Sequence, residues 1–136
     1  MSEARNLETL HRARNAFNSP SHRNDYFALY DDTIRLYGYQ GVEPGITGVK
    51  AFYAGFWAAF PDASLDFDDV FAGGDRVACR FRLTMTHKGE FNGIPPTGKQ
   101  VTLTGITILR FENEKCVERW SQADFIGLMA QLTSAH

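Results

Sequence analysis

Between Ser64 and Asp124 the hydrophobic residues leave helical spacing and recur at every second position, which fixes the class of fold. Val77, Cys79, Phe81, Leu83, Met85 and His87 share one face of an expected strand over Asp75–His87. Val101, Leu103, Gly105, Thr107, Leu109 and Phe111 share one face over Gln100–Phe111. Such alternation is the signature of half-buried strands. Gly73-Gly74 and Asn113-Glu114 read as tight turns. Strands are therefore expected at Leu65–Ala72, Asp75–His87, Gln100–Phe111 and Cys116–Asp124, joined as an antiparallel meander. One greasy face on such a sheet needs a covering layer.

The N-terminal half supplies that layer. Glu3–Asn18 reads as a helix with Leu7, Leu10 and Phe17 near one face and Pro20 closing it. Asn24–Tyr30 is a short second helix and Thr33–Tyr37 a strand. Thr47 is placed to cap a helix over GVKAFYAGFWAAF, where Val49, Phe52, Tyr53, Phe56 and Phe60 recur at helical spacing before Pro61. Phe125–Leu132 reads as a terminal helix. Helices followed by a meander give an α+β fold.

Composition narrows the function. A chain of 136 residues fits one domain, here 1–136, with no linker or repeat. A net charge of −2 and the lack of a basic block remove the electrostatic footprint of a nucleic-acid binder. No apolar run approaches the roughly 20 residues that span a bilayer. The N-terminus lacks the order of a signal peptide, so a cytoplasmic location is expected. Cys79 and Cys116 are too few for a disulfide framework or zinc site, and are expected as free thiols. Aromatic residues reach 13%, which suits a core or pocket built of rings.

Residues able to do chemistry gather on the expected inner face. Glu112 and Lys115 flanking a two-residue turn put Leu103 opposite Asp124 and Thr107 opposite Trp120. Matching faces across the earlier hairpin puts Met85 opposite Leu103. Asp124 is then a carboxylate in apolar surroundings, suited to moving a proton next to a carbonyl. It equally stands where a side chain N-caps FIGLMAQL. His87, an imidazole and so of a residue type suited to proton transfer, either anchors the loop GEFNGIPPTGK or touches a ligand. Trp120 is a core ring or a pocket wall, and Gln122 an amide that could orient a ligand oxygen. His11, His22 and His136 form no cluster. On the other face, Arg80, Arg82, Arg110 and Arg119 lie among Ile106, Ile108 and Val117. That mixture suits a solvated surface or a homodimer interface.

These residues resemble the SnoaL-like polyketide cyclase family. The likeness runs from about residue 46 to 132. It comprises Phe60-Pro61-Asp62, Gly74-Asp75-Arg76-Val77-Ala78, and Thr86-His87-Lys88-Gly89-Glu90-Phe91. It continues through Pro95-Pro96-Thr97-Gly98-Lys99 and Glu118-x-Trp120-x-x-x-Asp124 to Gln131-Leu132. The resemblance implies the nuclear transport factor 2-like superfamily fold: a cone-shaped α+β barrel with helices closing an apolar pocket over a curved antiparallel sheet. It also implies cofactor-free, metal-free acid/base catalysis, with an aspartate at the position of Asp124 as the acid/base of an aldol ring closure. The expected catalytic residues are Asp124 and His87. The expected substrate-binding residues are Trp120, Gln122, Met85, Leu103, Phe91, Phe56 and Tyr53, facing a small hydrophobic carbonyl compound. Ketosteroid isomerase shows the same logic of an aspartate base in an apolar site. The rival expectations are a hydrolase using the same pocket, and a non-catalytic binder or dimeric scaffold of the same fold.

Overall fold

Turn chemistry and alternation place four strands within a residue or two of where the sequence predicts them. The computed structural model describes residues 2–134, so His136 lies outside the described residues. Helix α1 (Glu3–Phe17) is followed by a 3-10 segment (Arg23–Leu29), strand β1 (Tyr30–Tyr37) and helix α2 (Ile46–Ala59). Then come β2 (Ser64–Gly73), β3 (Arg76–Thr86), β4 (Gln100–Glu112), β5 (Lys115–Ala123) and α3 (Phe125–Thr133).

The sheet order is β1-β5-β4-β3-β2, with β1 and β2 as free edges, so the curved sheet does not close. Strands β2 to β5 pair antiparallel, whereas β1 joins β5 in parallel. The sheet is therefore mixed, not antiparallel throughout. Asn113 and Glu114 both adopt positive φ, 51° and 64°, as the tight β4–β5 hairpin requires.

Two other expectations need correction. Gly45 at φ 87°, not Thr47, precedes α2, and its N–H donates to the Ile34 carbonyl across to β1. The second correction has larger consequences. Pairing runs Glu112↔Lys115 and Phe111↔Cys116, then jumps to Arg110↔Glu118, leaving Val117 as an extra residue in β5. A bulge of one residue exchanges the two faces of everything beyond it. Arg119, Ser121 and Ala123 consequently pair with Leu109, Thr107 and Gly105 on the inner face. Glu118, Trp120 and Gln122 are turned to the outer face. On the other hairpin Met85 pairs with Val101, and Leu83 takes the place opposite Leu103. A second bulge, at Asp68, adds to the bend of β2.

The core lies between the inner sheet face and α1, α2 and the 3-10 segment. Phe17, Ile34, Val49, Phe60, Val77, Leu109 and Leu128 are essentially sealed from solvent. Gly105 is required here, because a Cβ at that position would stand 2.6 Å from the Phe81 ring. Cys79 and Cys116 are buried free thiols, on strands separated by β4.

Candidate active site

The long connection after β3 is held by His87, which is fully buried. Its backbone N–H donates to the Lys99 carbonyl and its own carbonyl accepts from Gly98 N–H. The ring packs on Phe60, and Nδ1 accepts from the Thr97 backbone N–H at 3.2 Å. Lys88 and Gly89 donate their N–H groups to the Ala59 carbonyl, and Phe91 bridges to Ile94. His87 thus pins both ends of the loop to the end of α2. It lines neither of the two spaces described next.

One space is internal, about 50 Å³, enough for one or two water molecules. Its walls include Tyr53, Phe56, Leu83, Leu103, Arg119 and Ser121. The other is an open groove of about 890 Å³ between α2, the segment after β1 and the loop tip, including Glu43, Glu90 and Phe91. Tyr39, Phe52, Phe56 and Phe125 belong to both, so these rings are the partition between groove and interior. Tyr39 and Phe52 meet edge to face at 5.4 Å.

Arg119 is the chemical centre of the interior. Nε donates to Thr107 Oγ1 at 2.9 Å, and Nη1 donates to the Tyr30 and Tyr26 hydroxyls at 2.6 and 3.1 Å. It is half-buried and lines the cavity. Among the described residues no carboxylate is within ion-pair distance of it. Burial works against its charge, whereas Tyr30, Tyr39, Tyr26 and Tyr53 favour it once they are themselves ionised, so its pKa lies above the ordinary arginine value although none of them balances the cation at neutral pH. The tyrosines are raised as well, in their case by burial itself. Burial pushes the Tyr39 hydroxyl up to about 12 and raises Tyr26, Tyr30 and Tyr53 as well, against the pull of Arg119. At neutral pH the site is a guanidinium cation ringed by neutral phenols.

The hydroxyls form two directed chains. Thr107 donates to the Trp120 carbonyl, so Ser121 must donate to Thr107, and Tyr39 in turn to Ser121, at 2.9, 2.8 and 3.0 Å. On the other side Tyr26 donates to Tyr53 at 3.1 Å, which leaves Tyr30 as donor to Tyr26 at 2.6 Å. Fixed donors around one cation in an apolar shell can hold an oxygen on which negative charge develops.

The residues expected at the site divide. Tyr53, Phe56 and Leu103 line the interior, and Phe56 and Phe91 line the groove. Met85 is buried but lines neither. Trp120, expected as a pocket wall, instead stacks on Tyr37 at 5.3 Å on the outer face, with the Arg76 guanidinium over it. Gln122 is exposed there, so neither residue can reach a ligand inside. Asp124 is exposed and caps α3, Oδ1 accepting from the Gly127 N–H at 2.8 Å. Its neighbours Ala123 and Phe125 both line the interior. Arg119, Ser121, Tyr26, Tyr30 and Tyr39 are the site residues that the sequence reading missed. A signal for β5 existed in part: Glu118 and Gln122 are polar at one parity, while Ser121 and Ala123 are small at the other, which also carries Arg119.

Among the described residues no group of His, Cys, Asp and Glu could hold a metal ion, and no helix is long and apolar enough to cross a membrane. No curated protein matches the chain by sequence. Among solved structures it is similar to AclR of Streptomyces galilaeus, a proposed hydroxylase, at 30% identity and TM-score 0.85, covering 96% of this chain and 82% of that one. It is similar to wild-type IdmH of Streptomyces antibioticus, a proposed polyketide cyclase, at 29% identity and TM-score 0.78, covering 98% and 100%. A proposed polyketide cyclase of Acidithiobacillus ferrooxidans is 28% identical with TM-score 0.82, covering 97% and 96%. The family model of the SnoaL-like polyketide cyclases matches residues 9–132. With that match over nearly the whole length, the chain belongs to the SnoaL-like polyketide cyclase family.

Proposed function

We propose that the protein closes a ring in, or moves a proton within, a small hydrophobic polyketide-like carbonyl compound, without a cofactor. The single observation that carries this reading is Arg119, an uncompensated cation among phenols in an apolar interior. Removing a proton next to a carbonyl leaves an enolate, and Arg119 is placed to hold its oxygen. The enolate carbon then attacks a second carbonyl, a C–C bond forms, and the new alkoxide takes back the proton. Nothing is oxidised or reduced, so protons alone need carrying. Asp124 is the proposed carrier: it adjoins two interior-lining residues and matches the family's aspartate. Hydrogen bonds at catalytic groups often tighten only around bound substrate.

A binding-only role is the second reading, favoured by the Gly127 N–H already held by Asp124 and by its exposure. The experiment is turnover of linear and cyclic β-dicarbonyl compounds, followed by chromatography for an isomeric product of unchanged mass and by mass spectrometry for any later loss of water. Turnover that falls on Arg119→Met and Asp124→Asn supports the enzyme; ligand binding with no product in any case would leave the binder. We also propose a homodimer through the outer sheet face around Ile106, Ile108 and Arg80, from which Arg119 is now removed. Small carbonyl compounds and a second copy are the proposed partners.

A further inference from the structure

Counting protons around Arg119 points to the charge state of the ligand. A guanidinium has five N–H groups. Three are used: Nε on Thr107, and Nη1 on Tyr26 and Tyr30. Among the described residues, Nη2 makes no hydrogen bond, while the Tyr53 hydroxyl accepts from Tyr26 and interacts with that of Tyr30. Arg119 and Tyr53 line the same cavity. The protons of Tyr39, Ser121 and Thr107 are directed along one chain to the Trp120 carbonyl, and that of Tyr30 to Tyr26. What remains for a guest is one positive charge and a surplus of donors, with no carboxylate to receive them.

We propose that the interior binds its ligand already ionised, as the enolate of a 1,3-dicarbonyl compound or an equally acidic phenolate. This rests on the reading above in placing the substrate at Arg119, and it narrows the substrate class from carbonyl compounds to acidic ones. Their proton is released to solvent on binding, so that Asp124 is left to relay a proton from solvent to the alkoxide. The physical reason is desolvation. Burying a cation without a counter-charge is costly, and an anion placed beside it removes that cost, whereas a neutral ketone leaves it standing. An opposite charge within about 4–6 Å typically lowers an acid's pKa by about one to three units. The interior of about 50 Å³ is smaller than any such ligand. Entry therefore requires the partition of Tyr39, Phe52, Phe56 and Phe125 to yield toward the groove.

The test is spectroscopic and needs no turnover. Acetylacetone and 4-nitrophenol each absorb at longer wavelength as anions, so the pKa of the bound probe can be read by titration with the protein in excess. The expected result is a bound pKa lower by about two units, a roughly 100-fold preference for the anion. Arg119→Lys should keep most of that shift, Arg119→Met should abolish it, and Tyr53→Phe should reduce it. The neutral ketone 2-pentanone should bind far more weakly than acetylacetone. A bound pKa equal to that in water, a shift that survives Arg119→Met, or no binding of either probe at millimolar concentration would overturn the proposal. Anion binding with no turnover of any dicarbonyl would instead leave this proposal standing and remove the catalytic reading.

Discussion

The Arg119 guanidinium lies 2.6 Å from the Tyr30 hydroxyl, joining the last long strand to the first one across the parallel β1–β5 edge. A side chain this basic, buried against phenols instead of a carboxylate, is poor design for stability and good design for holding negative charge. Replacing a whole buried ion pair by apolar residues of similar volume is often neutral or stabilising by about 1–4 kcal/mol, and a lone cation carries the same desolvation cost without a partner's attraction. Arg119→Met is accordingly expected to melt no lower than wild type while losing dicarbonyl binding. Calorimetry and a binding titration on one sample check both halves. A variant that melts far lower would make Arg119 a structural residue.

Asp124 separates capping from proton transfer. Asn caps a helix about as well as Asp, so Asp124→Asn should leave the melting temperature nearly unchanged, while Asp124→Ala loses about 1 kcal/mol. As proton carrier, Asp124→Asn should cost about 10²–10⁴-fold in turnover with ligand affinity kept. Near wild-type turnover by that variant would assign Asp124 to the helix cap alone.

His87 is expected to act through the loop. His87→Ala removes a buried ring and the acceptor for Thr97 N–H, which should cost roughly 2–4 kcal/mol. Amide exchange at Thr97 and Gly98 should rise together with the loss. His87→Asn, whose side-chain oxygen can take over from Nδ1, should recover part of the protection.

Stability should fall on the alkaline side. Burial pushes Cys79 from 9.0 to about 11, Cys116 from 9.0 to about 12, and Tyr39 from 10.0 to about 12. Each folded pKa is above the unfolded one, so the unfolded chain releases its protons first as pH rises. Their contribution is whole below about pH 9 and is lost progressively as pH climbs through 11 to 12. Denaturant titrations at stepped pH check this, and Cys116→Ala should flatten the decline. Tyrosinate absorbance from the interior should emerge only together with unfolding.

Phe71 and Ile106 are 68% and 57% exposed on the sheet. A homodimer burying about 1,200–2,000 Å² in total would cover them. Light scattering should give twice the mass of one chain, falling to a single mass for Ile106→Asp. A monomeric wild type at micromolar concentration would remove the dimer.

The sequence alone determined the α+β class, the five strands, with β1 beginning three residues earlier than expected, the Asn113–Glu114 hairpin and the free thiols. It also supplied the family and the two readings of Asp124. Those features are local, or depend on an alternation that each strand carries within itself. Tertiary structure decided what each parity of β5 faces. Val117 bulges where β5 pairs with β4, and one extra residue there moves Trp120 and Gln122 outside and Arg119 and Ser121 inside. It also decided that β1 runs parallel to β5, which brings Tyr30 to Arg119 across 89 residues of chain. Register across a long connection is set by packing of the whole sheet, since no single strand encodes its partner. The cation at the heart of the site was legible as a residue. Its burial was not, because one residue of slip in a pleated strand separates solvent from core.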